Sequence, residues 1–135
     1  MIQKECVMEL LIGVCPSFKG KWEKHLINIW DRESETILYT DLSELARHLA
    51  TLVKLNQVNE FPAVFDKIEC LLQHGDPFVQ EAVVAGLLED FQNNLLYNKC
   101  QLDLISQYLK AETKQYWTGL IKFWSGETSY THKNK

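Results

Sequence analysis

Residues 60–97, EFPAVFDKIECLLQHGDPFVQEAVVAGLLEDFQNNLLY, read as two helices joined by one tight turn. In the first, Phe61, Val64, Phe65, Ile68, Leu71 and Leu72 recur at i, i+3, i+4 and i+7, with Asn59 placed to cap it. His74-Gly75-Asp76-Pro77 makes the turn. Gly75 suits the left-handed residue that ends a helix, Asp76 the next cap, and Pro77 a first position whose missing N–H costs nothing. The second helix is apolar on almost every side, which marks a central helix packed on several neighbours. Its one oddity is an acidic pair, Glu89-Asp90.

Outward from this segment the chain repeats the helical pattern. A first helix is expected over Ile2 to Ile12, with Val7, Leu10 and Leu11 inward and Gly13 as its stop. Cys15-Pro16-Ser17 breaks it, and a second helix runs from Phe18 to Trp30 on Trp22, Leu26, Ile29 and Trp30. Thr36-Ile37-Leu38-Tyr39 favours an extended piece by propensity but has no partner strand. Thr40 or Asp41 caps a third helix, Glu44 stands at capping-box spacing from Asp41, and Leu42, Leu45, Leu49, Leu52 and Val53 form its stripe. A sixth helix covers Gln101 to Leu109, and Thr113 caps a last one to Trp124. The expectation is all-α: one compact domain over residues 1–125, six or seven antiparallel helices, and a flexible polar tail at 126–135.

Length and composition fit a single soluble domain with a real core: 135 residues, 46% hydrophobic and 24% charged. A net charge of −4 argues against a nucleic-acid binder. The charge is uneven. Residues 31–44 carry Asp31, Glu33, Glu35, Asp41 and Glu44 against Arg32, whereas residues 110–135 carry five lysines against Glu112 and Glu127. The acidic connector reads as a solvated loop or, more sharply, as a docking surface for a basic partner. Cysteines 6, 15, 70 and 100 show no CxxC and no zinc spacing, so Cys6 and Cys70 read as small apolar helix residues. The opening MIQKECVMELLIGVC has acidic residues and too short an apolar run for a membrane span. A reducing, cytoplasmic setting is the expectation.

No phosphate loop, HExxH or nucleophile elbow is present, so no catalytic residue, metal ligand or cofactor is assigned. His25, His48, His74 and His132 fall on separate elements. Glu69, Glu89 and Asp90 lack the Glu-x-x-His spacing of a helical carboxylate site. Glu89 shares a side of its helix with Phe78, Ala82 and Ala85, against a core face of Val84, Leu87, Leu88, Phe91 and Leu95. The first reading pairs Glu89 with Arg47 or a backbone donor, because a buried carboxylate needs a partner. The second opens this mixed side as a groove where Glu89 and Asp90 meet a basic residue of another protein. Trp117 and Trp124, seven apart, share a face and are expected to pack.

Asp76-Pro77-x-Val79-Gln80-x-Ala82 resembles the opening of the second helix of a HEAT repeat, with Gln80 where a basic residue is expected and no second copy at repeat spacing. A broader likeness runs from Ile37-Leu38-Tyr39 and Leu42-x-x-Leu45-Ala46-Arg47 through Phe65-x-x-Ile68-Glu69-x-Leu71-Leu72. It continues in Gly86-Leu87-Leu88-Glu89-x-x-Gln92-Asn93 and ends in Tyr116-Trp117-x-x-Leu120. This resembles an uncharacterised family of small bacterial all-helical domains associated with immunity proteins encoded beside secreted antibacterial toxins. The resemblance implies a non-catalytic protein that blocks a toxin; the acidic balance suits a toxin with a basic surface, and neither a nucleic-acid nor a membrane partner is expected. Its contact residues would be Glu33, Glu35 and Asp41 on the connector, with Glu89 and Asp90 as a second candidate. A helical adaptor with an unrelated protein partner is the alternative reading, and a small enzyme or metal binder using Glu69, Glu89 and His48 is the third. The sequence leaves the oligomeric state open.

Overall fold

The computed structural model describes residues 1–29 and 31–126, and within them every regular element is helical. The helices are α1 (Lys4–Val14), α2 (Lys19–Asn28), α3 (Ile37–Lys54), α4 (Phe61–His74), α5 (Pro77–Ala82), α6 (Glu89–Tyr97) and α7 (Ala111–Trp124). Short 3-10 turns at Pro16–Phe18 and Leu102–Tyr108 link α1 to α2 and α6 to α7. The second of these replaces the α-helix expected over residues 101–109. Trp30, expected at the end of the second helix, and the expected flexible tail from residue 127 lie outside the described residues.

The centre is the segment after Asp76. Between α5 and α6 the helix never stops: Val83–Leu88 forms a π turn, in which the Glu89 N–H reaches the Val84 carbonyl. Residues 77–97 are therefore one rod. Val79, Ala82, Val83, Val84, Leu87, Leu88, Phe91 and Leu95 along it are all buried. Helix α3 packs along the rod, while α4 and α7 cover further parts of it. Phe61, Phe65, Phe91 and Tyr108 meet ring to ring at centroid distances of 5.4–6.2 Å. Burying each large side chain contributes roughly 1.5–3 kcal/mol, so the rod is the main hydrophobic anchor of the fold.

Two glycines mark close approaches to the rod. A Cβ on Gly86 would sit 3.3 Å from Tyr39 Cδ1 and 3.6 Å from Leu42 Cβ, so the bare backbone of the π turn lets α3 come near. Gly75 corrects the sequence reading. It is extended (φ −73°, ψ 153°), not left-handed. Its role is steric, because a Cβ there would lie 2.5 Å from both the Leu71 carbonyl and Val79 Cγ1. The N-terminal strand-like residue Ile2 uses the same turn, its N–H donating to the His74 carbonyl and its carbonyl accepting from the Asp76 N–H. Asp76 caps as expected, Oδ1 accepting from the Val79 N–H at 2.9 Å.

Other boundaries differ from the sequence reading for physical reasons. Helix α3 starts at Ile37, so the β-favouring run 37–39 is helical; Leu38 is buried and Tyr39 packs edge-on against Phe78, and this burial overrides propensity. Asp41 is thus inside α3 and caps nothing. Helix α4 begins at Phe61 after Glu60, without a cap from Asn59. Thr113 lies within α7 and is fully buried. Cys6 is exposed, because the inward face of α1 is Val7, Met8 and Leu11. Leu26 is partly exposed, and Trp124 is 56% exposed while Trp117 is buried, so the shared-face packing fails at the last residue of α7.

The glycine geometry yields a paired prediction. Gly75→Ala should destabilise the protein by about 2–3 kcal/mol through overpacking, although its backbone angles suit alanine. Gly13→Ala, with nothing within 4 Å of the added carbon, should be neutral or stabilise by up to about 1 kcal/mol. Urea midpoints at constant m-value check both.

Candidate functional site

A groove of about 940 Å³ is walled by α1, α2, the connector at 32–35 and the start of α3. Its walls follow helical spacing. Helix α1 contributes Glu5, Met8, Glu9 and Ile12; α2 contributes Lys19, Trp22, Glu23 and Leu26. Both sets recur at three and four residues, so α1 turns an apolar edge and an acidic edge to the groove, and α2 an apolar edge beside the mixed pair Lys19 and Glu23. Ile37 and Leu38 extend the apolar lining, and Glu33 and Glu35 stand exposed on the connector.

Asp41 holds this arrangement in place. Its carboxylate is almost fully buried, and it accepts both arms of the Arg32 guanidinium, at 3.0 Å to Oδ1 and 2.7 Å to Oδ2. A carboxylate only accepts, so His25 Nε2 donates the third bond, at 2.7 Å to Oδ1. The hydrogen bonds to Asp41 push the Arg32 pKa above its ordinary value, against the opposing effect of burial. Arg32 also lies over the Trp22 ring, 5.4 Å from its centroid, and Trp22 packs on His25 at 5.6 Å. One residue from α3 thus binds one from α2 and one from the connector.

These contacts sort the sequence-predicted residues. Glu33 and Glu35 reach the groove as exposed carboxylates. Asp41 lines it too but is buried and saturated, so it shapes the groove and offers no free charge. Glu89 and Asp90 are half-buried on α6 and do not line the groove. Arg47 is paired with Glu44 at 2.9 Å, not with Glu89. Among the described residues no donor reaches the Glu89 carboxylate, and burial, with Asp90 beside it, raises its pKa. Sequence reasoning missed Glu5, Glu9 and Glu23. The available signal was their placement next to the apolar spacing Met8–Ile12 and Trp22–Leu26.

With Asp41 and Arg32 neutralising each other, the groove keeps five carboxylates against Lys4 and Lys19, a net of −3. None of the five is in an ion pair among the described residues. Lys4 is turned aside, its Nζ 5.6 Å from the Phe78 ring centroid.

The remaining polar clusters close on themselves. Glu69 is the N-terminal clamp of α7: it accepts from the backbone N–H of Glu112 and Thr113, the Thr113 hydroxyl and the Gln73 amide, at 2.8–3.0 Å. Burial alone would raise its pKa, but these donors prevail and lower it. Gln92 donates to the Trp117 carbonyl at 3.1 Å, tying α6 to α7. Glu60 accepts from the Ser17 hydroxyl at 2.6 Å, the Ser17 N–H at 3.1 Å and the Cys15 thiol at 3.2 Å. Burial and the Glu60 hydrogen bond push the Cys15 thiol up to about 12, which keeps it protonated and unreactive.

Ser17 also meets His48 Nε2 at 2.8 Å. The hydroxyl proton is spent on Glu60, whose pKa these bonds lower despite burial, so His48 Nε2 is the donor to Ser17. That polarity is the reverse of a base drawing a proton from a serine nucleophile. Burial, with Lys21 nearby, lowers the His48 pKa to about 4, and its buried Nδ1 has no hydrogen-bond partner among the described residues. No group of three or more His, Cys, Asp and Glu side chains among the described residues is arranged to hold a metal ion. No helix among them is long and apolar enough to cross a membrane.

His48 gives the fold a defined pH dependence. Its folded pKa of about 4 lies below the ordinary 6.5, so the unfolded chain binds the proton first. Stability should fall as pH drops from 6.5 to 4, by on the order of 2 kcal/mol, and His48→Gln should remove that slope. Losses from Glu60 and Glu69, whose pKa values are lowered, come only below 4.5 and should persist in the variant. Urea unfolding across pH 7 to 3.5 checks this.

A family model described as a domain of unknown function (DUF7674) matches residues 8–125. No curated protein and no solved structure matches the chain.

Proposed function

The chain belongs to the DUF7674 family, and we propose that it is a non-catalytic protein-binding module that acts by covering a basic surface of its partner. The observation that carries this reading is the groove: an apolar floor rimmed by five carboxylates that form no ion pair among the described residues. Carboxylates needed for folding, Asp41, Glu60 and Glu69, are each saturated by donors. Those on the groove rim have no such role. A surface of net −3 attracts a positively charged protein, speeds encounter and repels nucleic acid.

Within this reading the partner is a secreted antibacterial toxin, and the chain is its cytoplasmic immunity protein. Support comes from the motif resemblance running from Ile37 to Leu120 and from the acidic surface, which suits the basic clefts of nuclease-type toxins. Glu33 and Glu35 are the contact residues drawn from the connector. Glu89 and Asp90 stand apart from the groove and are a separate contact only if the partner spans both regions.

Co-expression with the product of a neighbouring toxin gene tests the reading. Rescue of growth supports it; failure to neutralise any encoded neighbour overturns it and leaves the helical-adaptor role. In the complex, Glu33→Lys with Glu35→Lys should slow association about tenfold at low salt and leave folding unchanged, an effect that stopped-flow kinetics would show shrinking as salt rises.

A further inference from the structure

We propose that the groove seats an amphipathic helix of the partner, with its apolar stripe on Trp22 and Leu26 and its flanking lysines or arginines against the rim carboxylates. The inference rests on the binding-module reading and goes beyond it by naming what is bound.

Charge decides the sign of the occupant. Five carboxylates, unpaired among the described residues, against two lysines disfavour any anionic ligand, whether phosphate, nucleic acid or an acidic peptide. They do not cluster: Glu5 and Glu9 come from α1, Glu23 from α2, and Glu33 and Glu35 from the connector. Apolar surface between them excludes a simple hydrated cation as a sufficient ligand. The complement is a segment that is apolar along one line and basic beside it.

Spacing decides its conformation. Glu5 and Glu9, Met8 and Ile12, and Trp22 and Leu26 are all i, i+4 pairs, repeating about every 6 Å along their helices. Ridges of that pitch accept the i, i+4 ridges of another helix. The described residues offer no β-strand whose edge an extended peptide would join. Partial exposure of Leu26 fits the same use, since an apolar side chain beside Trp22 is left for an incoming stripe.

The probe is a labelled helical peptide of about 18 residues with a leucine stripe flanked by lysines, compared with one carrying glutamates in their place. Fluorescence anisotropy with the full chain should show the lysine peptide binding at least about tenfold tighter, a difference lost near roughly 0.5 M salt. Glu5→Lys with Glu9→Lys, Glu33→Lys with Glu35→Lys, and Leu26→Asp should each weaken binding about fivefold or more, whereas exposed Asp103→Lys should not. Equal binding of the two peptides, or indifference to the groove variants, overturns the proposal. So does self-association of the chain that the same charge reversals abolish, because the occupant is then a second copy. If the groove variants still neutralise a toxin with unchanged affinity, the groove assignment fails while the inhibitory reading stands. If no toxin is neutralised but the peptide behaves as expected, the reverse holds.

Discussion

Asp41 is a carboxylate buried inside a helix, and a buried carboxylate persists only with donors at hand. Its compensation comes from outside α3: His25 on α2 and Arg32 on the connector. Burying Asp41 therefore fixes where α2 docks and how the connector leaves it. The stack of Arg32 on Trp22 adds a second hold on the same guanidinium. With that residue drawn inward, the neighbouring Glu33 and Glu35 are left on the rim without a counter-charge. The ion cluster thus shapes the groove and removes the connector's one cation from its charge balance, while Glu5, Glu9 and Glu23 add the rest of the negative charge from α1 and α2.

The same device recurs twice. Glu69 on α4 gathers the first turn of α7, and Glu60 gathers the turn at Pro16–Phe18. In each case a single carboxylate binds backbone N–H groups more than forty residues away in the sequence. The apolar rod at 77–97 supplies the bulk of the burial, and the carboxylates fix the direction of what packs around it. This division separates the structural acids from those on the groove, whose carboxylates have no ion-pair partner among the described residues.

The central hairpin was legible because its evidence is local: apolar spacing, Asp76 as cap and Pro77 at the first position. The all-α class followed from the same periodicity. What escaped was everything set by contacts distant in sequence. Asp41 has the composition of a helix cap or a surface acid, and only the approach of His25 and Arg32 makes it internal. Thr113 looks like a cap until Glu69 takes that role from another helix. Gly75 looks like a left-handed residue, whereas its constraint is the crowding of Leu71 and Val79. The π turn has no local signature in VVAGLL beyond an apolar run with a glycine. On the candidate surface, Glu33 and Glu35 were visible as part of a charge run, but Glu5, Glu9 and Glu23 join them only once α1 and α2 are packed.

The central claim is that the groove between α1, α2 and the connector is where a protein partner binds. Hydrogen–deuterium exchange of the chain alone and in complex with a neutralised toxin tests it most directly. The account predicts new protection concentrated in α1, α2 and residues 32–38. Protection confined to α7 or to the Glu89 side of α6, with the groove unchanged, would contradict it.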